Sequence, residues 1–578
     1  MLAALPFVVS PGGFEKFRLP KDVIFSIGAA LIVGIFFAVN GFRRFCKWRS
    51  WEALLVVSIG YLLVHGLLVN PEITGWSASW IIAALLFLLV IGRAVPAARH
   101  PGLWLVAASA TAVNAGLAIL QFYGRFPLLA KNTGETLQGR LTPAGFIGDV
   151  NNGGFVLGLS ALMLLYPLAT RERAGLRVYS GLLLVMNLAG LAITQTLSAT
   201  IAFVGAFVLW LVLHAWWLVR TQENRRKAYG QVAGLAGLVV VVVVLVVLFT
   251  GLGDRILLAA AALRDGDATG LTAGRYPVYL ITWRMIKDAP VLGHGLASFG
   301  VDFFRYRTET ELSRLEMIDQ PGSFREAHND YLQIWHELGG VGLLLFLLVL
   351  VLPCATALRG ALHSKEPKRL YWTCMLVLGL VYSAITALGS FPFRLSLTAL
   401  FIMLVLAGLR SAASDAEAAS SGPAARGWQW RLAGAILAIV VVSYFGVQRW
   451  RANVQMGIAA VVLEEAYSSS LSARSKRIYG ETALTRLRQA ESMSPRLYDN
   501  YNLQGSANML MGYHEAAAQQ YERAARYIPS PEILTNQAVA LVASGDKGQA
   551  RELLKRALAY NPNYAPARRA SELLEKDE

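Results

Sequence analysis

Long apolar runs recur through most of this chain, and they restrict its fold more than any other feature. A run of about 18 or more apolar residues can cross a bilayer core as a helix. Such runs are read near 23–41, 52–69, 77–95, 102–122, 153–169, 178–196, 198–218, 231–251, 341–358, 371–389, 395–410 and 431–448. Of the 578 residues, 55% are hydrophobic and only 16% charged, less charge than a water-soluble chain ordinarily carries. The expected class is all-α: a polytopic membrane bundle, since a helix satisfies its backbone polar groups internally. The net charge of +16 does not point to nucleic acid, because the basic residues sit in short loops between spans.

Those loops also predict orientation. Lys and Arg concentrate in alternate loops, including Arg43–Arg49, Arg171–Arg177, Arg220–Lys227 and Arg359–Arg369. Asn70–Trp76 and Gln195–Leu197 carry none, and Gly389–Arg394 carries one. Basic loops face the cytoplasm, which places 123–152, 253–340 and everything after 449 outside. The expected organisation is 1–252, N-terminal spans; 253–340, a large outward loop; 341–449, C-terminal spans; 450–578, an outward tail. Residues 411–427 read as a low-complexity linker. Cys46, Cys354 and Cys374 all fall near the cytoplasmic face, so no disulfide is expected. Met1–Ser10 is apolar but lacks a basic flank, and reads as a short first helix or re-entrant piece rather than a signal peptide.

The tail repeats. Ala483, Leu487, Ala490 and Pro495 recur as Ala517, Tyr521, Ala524 and Pro529, and again as Ala550, Leu554, Ala557 and Pro562. Small residues admit close helix approach, the large residue fills the groove and proline ends the second helix. The spacing resembles tetratricopeptide repeats and predicts an α-solenoid. Such a module could recruit an acceptor or a protein partner.

Titratable groups are densest between Gly253 and Gly342, among them Arg275, Arg284, His294, Arg325, His328 and His336. His328-Asn329, followed by Gly339 and Gly342, resembles the pattern of the O-antigen ligase and polymerase superfamily. Gly274-Arg275, Trp283, Pro290-Val-Leu-Gly293-His-Gly295 and Phe299 look like the start of the same domain. The resemblance implies a GT-C-type membrane glycosyltransferase of the bacterial inner membrane, its large loop and tail periplasmic. It implies transfer of a glycan from undecaprenyl diphosphate to lipid A core, to another glycan or to protein, through a hydroxyl or amide.

The residue types suit that chemistry. A leaving diphosphate needs fixed positive charge, which arginine forks supply, and histidine can accept a hydroxyl proton. His328 and Arg275 are the expected catalytic pair. Arg140, Arg275, Arg325 and Arg284 are expected at the diphosphate; Asn329, Gln333, Trp335, Tyr331 and Asn151 at glycan or acceptor. His328, Leu332 and Trp335 would share one helical face. Two departures from the family pattern stand out: Asp149-Val-Asn151-Asn152 where Asn-Pro-Asn is common, and Ser198-Ala199 where an arginine commonly follows the serine. Asp265-Gly-Asp267 reads as a turn, His294 as a turn residue, and no metal, cofactor or ATP-binding loop is expected. A lipid-linked sugar transporter would want ionisable groups in mid-membrane, and the spans are nearly charge-free. A non-catalytic scaffold presenting the tail remains an alternative, discriminated by deleting 450–578.

Overall fold

In a computed structural model the described residues are 1–45, 50–69, 71–95, 100–125, 145–170, 173–221, scattered positions from 226 to 244, 252–272, 274–306, 326–364, 366–413, 428–495 and 498–576. The fold is all-α. Seven helices come first: α1 (Arg18–Phe45), α2 (Ser50–Leu68), α3 (Pro71–Ala94), α4 (His100–Phe122), α5 (Val150–Ala169), α6 (Ala174–Thr194) and α7 (Leu197–Thr221). A cap of short helices follows: α8 (Leu252–Arg264), α9 (Ala268–Leu271), α10 (Tyr276–Asp288) and α11 (Phe299–Tyr306). The bundle resumes with α12 (Asp330–Leu362), α13 (Pro367–Thr386), α14 (Ser396–Ala413) and α15 (Trp428–Ser468). Among the described residues, 10 helices are long and apolar enough to span a membrane, and α3 is apolar over Trp80–Ala94. The expected span at 231–251 lies mostly outside the described residues.

α5 and α14 run through the middle of the bundle and are buried on nearly every side. Several polar side chains buried inside the bundle pair across helices. Tyr382 of α13 is fully buried and donates its hydroxyl to Phe155 O on α5 at 2.9 Å. Trp210 Nε1 of α7 donates to the Tyr371 hydroxyl of α13 at 2.9 Å. At the basic end, Glu52 of α2 accepts from Arg93 of α3 at 2.7 and 2.8 Å and from Arg410 of α14 at 2.9 Å. One buried carboxylate therefore ties three helices together.

The N-terminal segment forms a single turn of 3₁₀-helix, Leu5–Phe7, and then folds against α15. Trp450 Nε1 donates to Ser10 Oγ at 3.1 Å, and Phe14 N to Asn453 O at 3.0 Å. α15 is one continuous helix across the expected boundary at 449/450. Its later half packs Ala452, Met456, Ala459 and Leu463 against the first tail helices.

The tail comprises α16 (Ala473–Met493), α17 (Tyr498–Met511), α18 (His514–Tyr527), α19 (Pro531–Ser544), α20 (Lys547–Tyr560) and α21 (Ala565–Lys576). Each packs on its sequence neighbour. The alanines repeating at 483, 490, 517, 524, 550 and 557 are all fully buried, as close helix approach requires. Phe304 of α11 meets Tyr560 at a ring separation of 6.3 Å, so the tail also touches the cap.

Candidate active site

Two loops clasp the first turns of α12, and the motif glycines explain how. Gly339 has φ +67° and ψ −176°, which breaks α12 three turns in. The break leaves the carbonyls of His336 and Glu337 without their usual partners four residues on, and frees the amides of Gly340 and Val341. The Pro290–Gly295 loop takes all four. His294 N donates to His336 O and Gly295 N to Glu337 O, both at 2.9 Å; Gly340 N donates to Pro290 O at 2.8 Å and Val341 N to Val291 O at 3.3 Å. A Cβ on Gly339 would lie 2.0 Å from Val291 O, and one on Gly293 would lie 2.5 Å from Gly339 N. The two glycines are thus a steric requirement of one joint. One neighbouring helix, α2, closes on it, with Tyr61 donating to Leu338 O and a His65 ring nitrogen meeting Leu292 O, each at 2.6 Å.

The second loop, between α13 and α14, covers the other side. Asp330 N donates to Ala387 O at 3.0 Å, Asn329 Nδ2 to Leu388 O at 3.2 Å, and Phe393 N to Asp330 Oδ2 at 3.0 Å. Arg275, just before α10, donates from Nη1 to Gly389 O at 2.7 Å. Tyr279, one turn along α10, places its hydroxyl 3.2 Å from His328 O and 3.3 Å from Leu388 O. The His328 ring packs edge-on against Phe391 at 5.0 Å.

Arg275 and His328 therefore meet at one turn, although 53 residues separate them. Both are half-buried. Burial, and the charge of Arg275 beside it, push the His328 imidazole down to about 3. It is neutral at any physiological pH. Burial also lowers the Arg275 guanidinium from its ordinary value, partly opposed by Tyr279 and Asp149. His328 has φ +54°, a left-handed backbone unusual outside glycine. Asn329 caps α12 by accepting from Leu332 N at 3.1 Å. The helix thus starts at Asp330, which corrects the expected shared face: His328 precedes the helix and does not align with Leu332 and Trp335.

Not every candidate reaches that turn. Arg284 donates twice to Tyr306 O, at 3.2 and 2.8 Å, tying α10 to α11. Trp335 Nε1 donates to Pro290 O at 3.0 Å and packs edge-on against Trp283, within the glycine joint. Tyr331 donates to Ala384 O at 2.9 Å, between α12 and α13. Asn151 is half-buried in the first turn of α5. Arg140 and Arg325 lie outside the described residues. Ala199, where an arginine is common in the family pattern, is fully buried. Its neighbour Ser198 abuts Gly389, the residue whose carbonyl takes Arg275.

A second set of charges, not singled out from sequence, surrounds Gln333. Its Nε2 donates to Glu326 at 3.0 Å and Glu337 at 3.1 Å, while its Oε1 accepts from Ala327 N at 2.8 Å. Arg18 of α1 pairs with Glu326 at 2.8 Å. Arg394 pairs with Glu337 and lies 3.5 Å from Glu326. Burial would raise the Glu326 carboxyl, but Arg18 and Arg394 outweigh it and hold the group below its ordinary value. Glu326, two residues before the motif histidine, and Arg394, the one base in its loop, were the available hints.

Asp265 pairs with Arg264 at 2.9 Å and Asp267 caps α9, so both serve the turn. His294 stacks on His336 at 4.6 Å. With Asp302 these two offer ligand atoms within 4.8 Å of one another, the grouping among the described residues that could hold a metal ion.

Fold and site define a polytopic helical membrane protein with a basic, histidine-bearing cap over its bundle. Residues 182–347 match the family model described as O-antigen ligase, and 370–574 the one described as virulence factor membrane-bound polymerase, C-terminal. The two matches support the O-antigen ligase and polymerase superfamily for this chain, and with it glycan transfer at a membrane. A curated Haemophilus influenzae protein, described as uncharacterized, is 31% identical over 98 residues, covering 17% of this chain and 22% of that protein. The match thus spans about a fifth of that relative's length.

Proposed function

We propose that this protein transfers a glycan from undecaprenyl diphosphate to an acceptor hydroxyl at the periplasmic face of a bacterial inner membrane, in the manner of an O-antigen ligase acting on lipid A core. The meeting of Arg275 and His328 on one turn carries this reading. The acceptor oxygen attacks the anomeric carbon, and the bond from that carbon to the phosphate oxygen breaks. The diphosphate leaves with the electron pair, beside the Arg275 guanidinium. His328, already neutral, takes the hydroxyl proton. A cation at Arg275 disfavours an imidazolium next to it, but the growing charge on the diphosphate offsets that penalty as the bond breaks. Proton acceptance is thereby coupled to departure of the leaving group. Tyr279 and Asn329 hold the 387–389 backbone on which Arg275 rests.

The test uses purified protein with a lipid-diphosphate glycan and separate acceptors. Arg275→Ala and His328→Ala should each lower transfer at least about 100-fold, the scale of a lost charge stabiliser or general base. Transfer at the wild-type rate by both variants overturns the reading. Repeated addition, as by a polymerase, is a second reading, favoured by the polymerase match over 370–574. A ladder of product lengths, instead of single addition, would select it. The tail, read as tetratricopeptide repeats, would recruit acceptor or partner.

A further inference from the structure

His294, Asp302 and His336 gather at the glycine joint from three separate elements: the Pro290–Gly295 loop, α11 and α12. The local sequence builds the cluster. Gly293 and Gly295, at φ +72° and +106°, flank His294 and turn it back over α12, where its ring stacks on that of His336 at 4.6 Å. Ser298 N donates to Gly295 O at 3.1 Å and Asp302 N to Ser298 O at 3.0 Å, so the same turn starts α11 and brings Asp302 to His336. Asp302 Oδ2 lies 3.5 Å from His336 Nε2, and Ser298 Oγ lies 3.2 Å from the same nitrogen. Arg305 approaches the other carboxylate oxygen, Oδ1, at 3.6 Å. Phe299, fully buried, walls the group edge-on against His336 at 6.0 Å. His336 is itself fully buried, and Nδ1 of each histidine is buried without a hydrogen-bond partner.

We propose that these three side chains bind one divalent cation of the zinc class, and that the ion clamps the cap onto α12. Two imidazoles and a carboxylate form a set that zinc takes, whereas magnesium and calcium prefer oxygen throughout. On a tetrahedral ion with bonds of about 2.0–2.2 Å, neighbouring ligand atoms stand roughly 3.4 Å apart. The Asp302–His336 pair, at 3.5 Å, already has that spacing. The three ligand atoms lie within 4.8 Å of one another, so a small rotation of His294, the half-buried member, closes the set. Its Nδ1, otherwise unpartnered, supplies the third bond, and water takes the fourth position. Arg305 on Oδ1 holds the carboxylate in place, as outer contacts of metal ligands do. The ion joins the loop and α11 to α12 beside the backbone pairs His294 N–His336 O and Gly295 N–Glu337 O. Because α10 leads directly into this loop, the clamp also fixes the helix that Arg275 precedes. The ion's role does not depend on glycan transfer. No metal is expected from sequence because the three residues follow no ligand spacing, and Asp265 and Asp267 take no part.

The test uses the full chain, purified in detergent through a tag free of histidine, stripped with EDTA and dialysed. Zinc chloride alone is the probe. It should raise the melting temperature by at least about 2 °C, saturate at one ion per chain, and slow hydrogen exchange at the His294 and Gly295 amides. Magnesium chloride should do none of these. Cobalt in place of zinc should give the intense visible absorption of a tetrahedral site. Asp302→Asn and His294→Gln should each weaken zinc binding at least about tenfold and lose the cobalt absorption. Asp302→Asn keeps the size of the side chain, so a folding failure of His294→Gln does not remove the test. A melting temperature indifferent to zinc, an equal shift with magnesium, or unchanged exchange with zinc bound overturns the proposal. So does wild-type zinc affinity in the variants, which would mark an adventitious ion only. Each readout is independent of transfer activity.

Discussion

At the scale of residues, His328 combines backbone strain with a suppressed charge. A left-handed conformation costs an L-residue roughly 1–2 kcal/mol, and asparagine tolerates it better than alanine. His328→Asn should therefore fold more stably than His328→Ala by roughly 1 kcal/mol, both without transfer activity, as read by thermal melting and turnover on the same preparations. The imidazole also makes stability depend on pH. The unfolded chain takes up a proton at this residue below about 6.5, but the folded protein does so only near 3. Between those values the unfolded state holds more protons, so stability falls as the solution is acidified. Wild-type protein should lose more melting temperature between pH 7.5 and 5 than His328→Asn does. Equal losses would mean that the ring is not held neutral by its surroundings.

Among elements, the Gly293–Gly339 joint decides whether the cap sits on the bundle. Any side chain at Gly339 meets the Val291 carbonyl, in a conformation that only glycine adopts readily. Gly339→Ala should cost on the order of 3 kcal/mol. It should also release the His294 and Gly295 amides, which donate across the joint, to fast hydrogen exchange. Normal protection of those two amides would show that the joint tolerates a methyl group. Lost activity in that variant is then positional, because Gly339 has no side chain with which to touch substrate. The sequence showed the spacing of these glycines. It could not show that Pro290–Gly295 is what the broken helix pairs with, because the pairing runs through backbone groups that every residue possesses.

For the whole molecule, Glu52 is the tie between α2, α3 and α14. Glu52→Gln leaves Arg93 and Arg410 facing a neutral amide in a buried setting, a loss of about 3–5 kcal/mol by the measure of other buried pairs. A large fall in the detergent melting temperature would register it, and an unchanged melt would mean that water reaches the cluster. Removal of everything after Ser468 should keep the bundle, since α15 itself packs on α1. Transfer should persist at a reduced rate; complete loss of transfer would favour a scaffold.

The apolar runs determined by themselves that the chain is a helical membrane bundle, because hydrocarbon tolerates no unpaired backbone. The buried alanines of the tail followed equally from their spacing, since close helix approach needs small side chains wherever it occurs. The two catalytic candidates were also legible, through a local pattern around each. Tertiary structure alone decided what stands beside them. The 387–394 loop, over 100 residues along the chain from Arg275, supplies the carbonyl that fixes it, and Arg18 from the first span completes the rim around Glu326. A contact between distant segments depends on how whole helices pack, and short-range periodicity carries no trace of it.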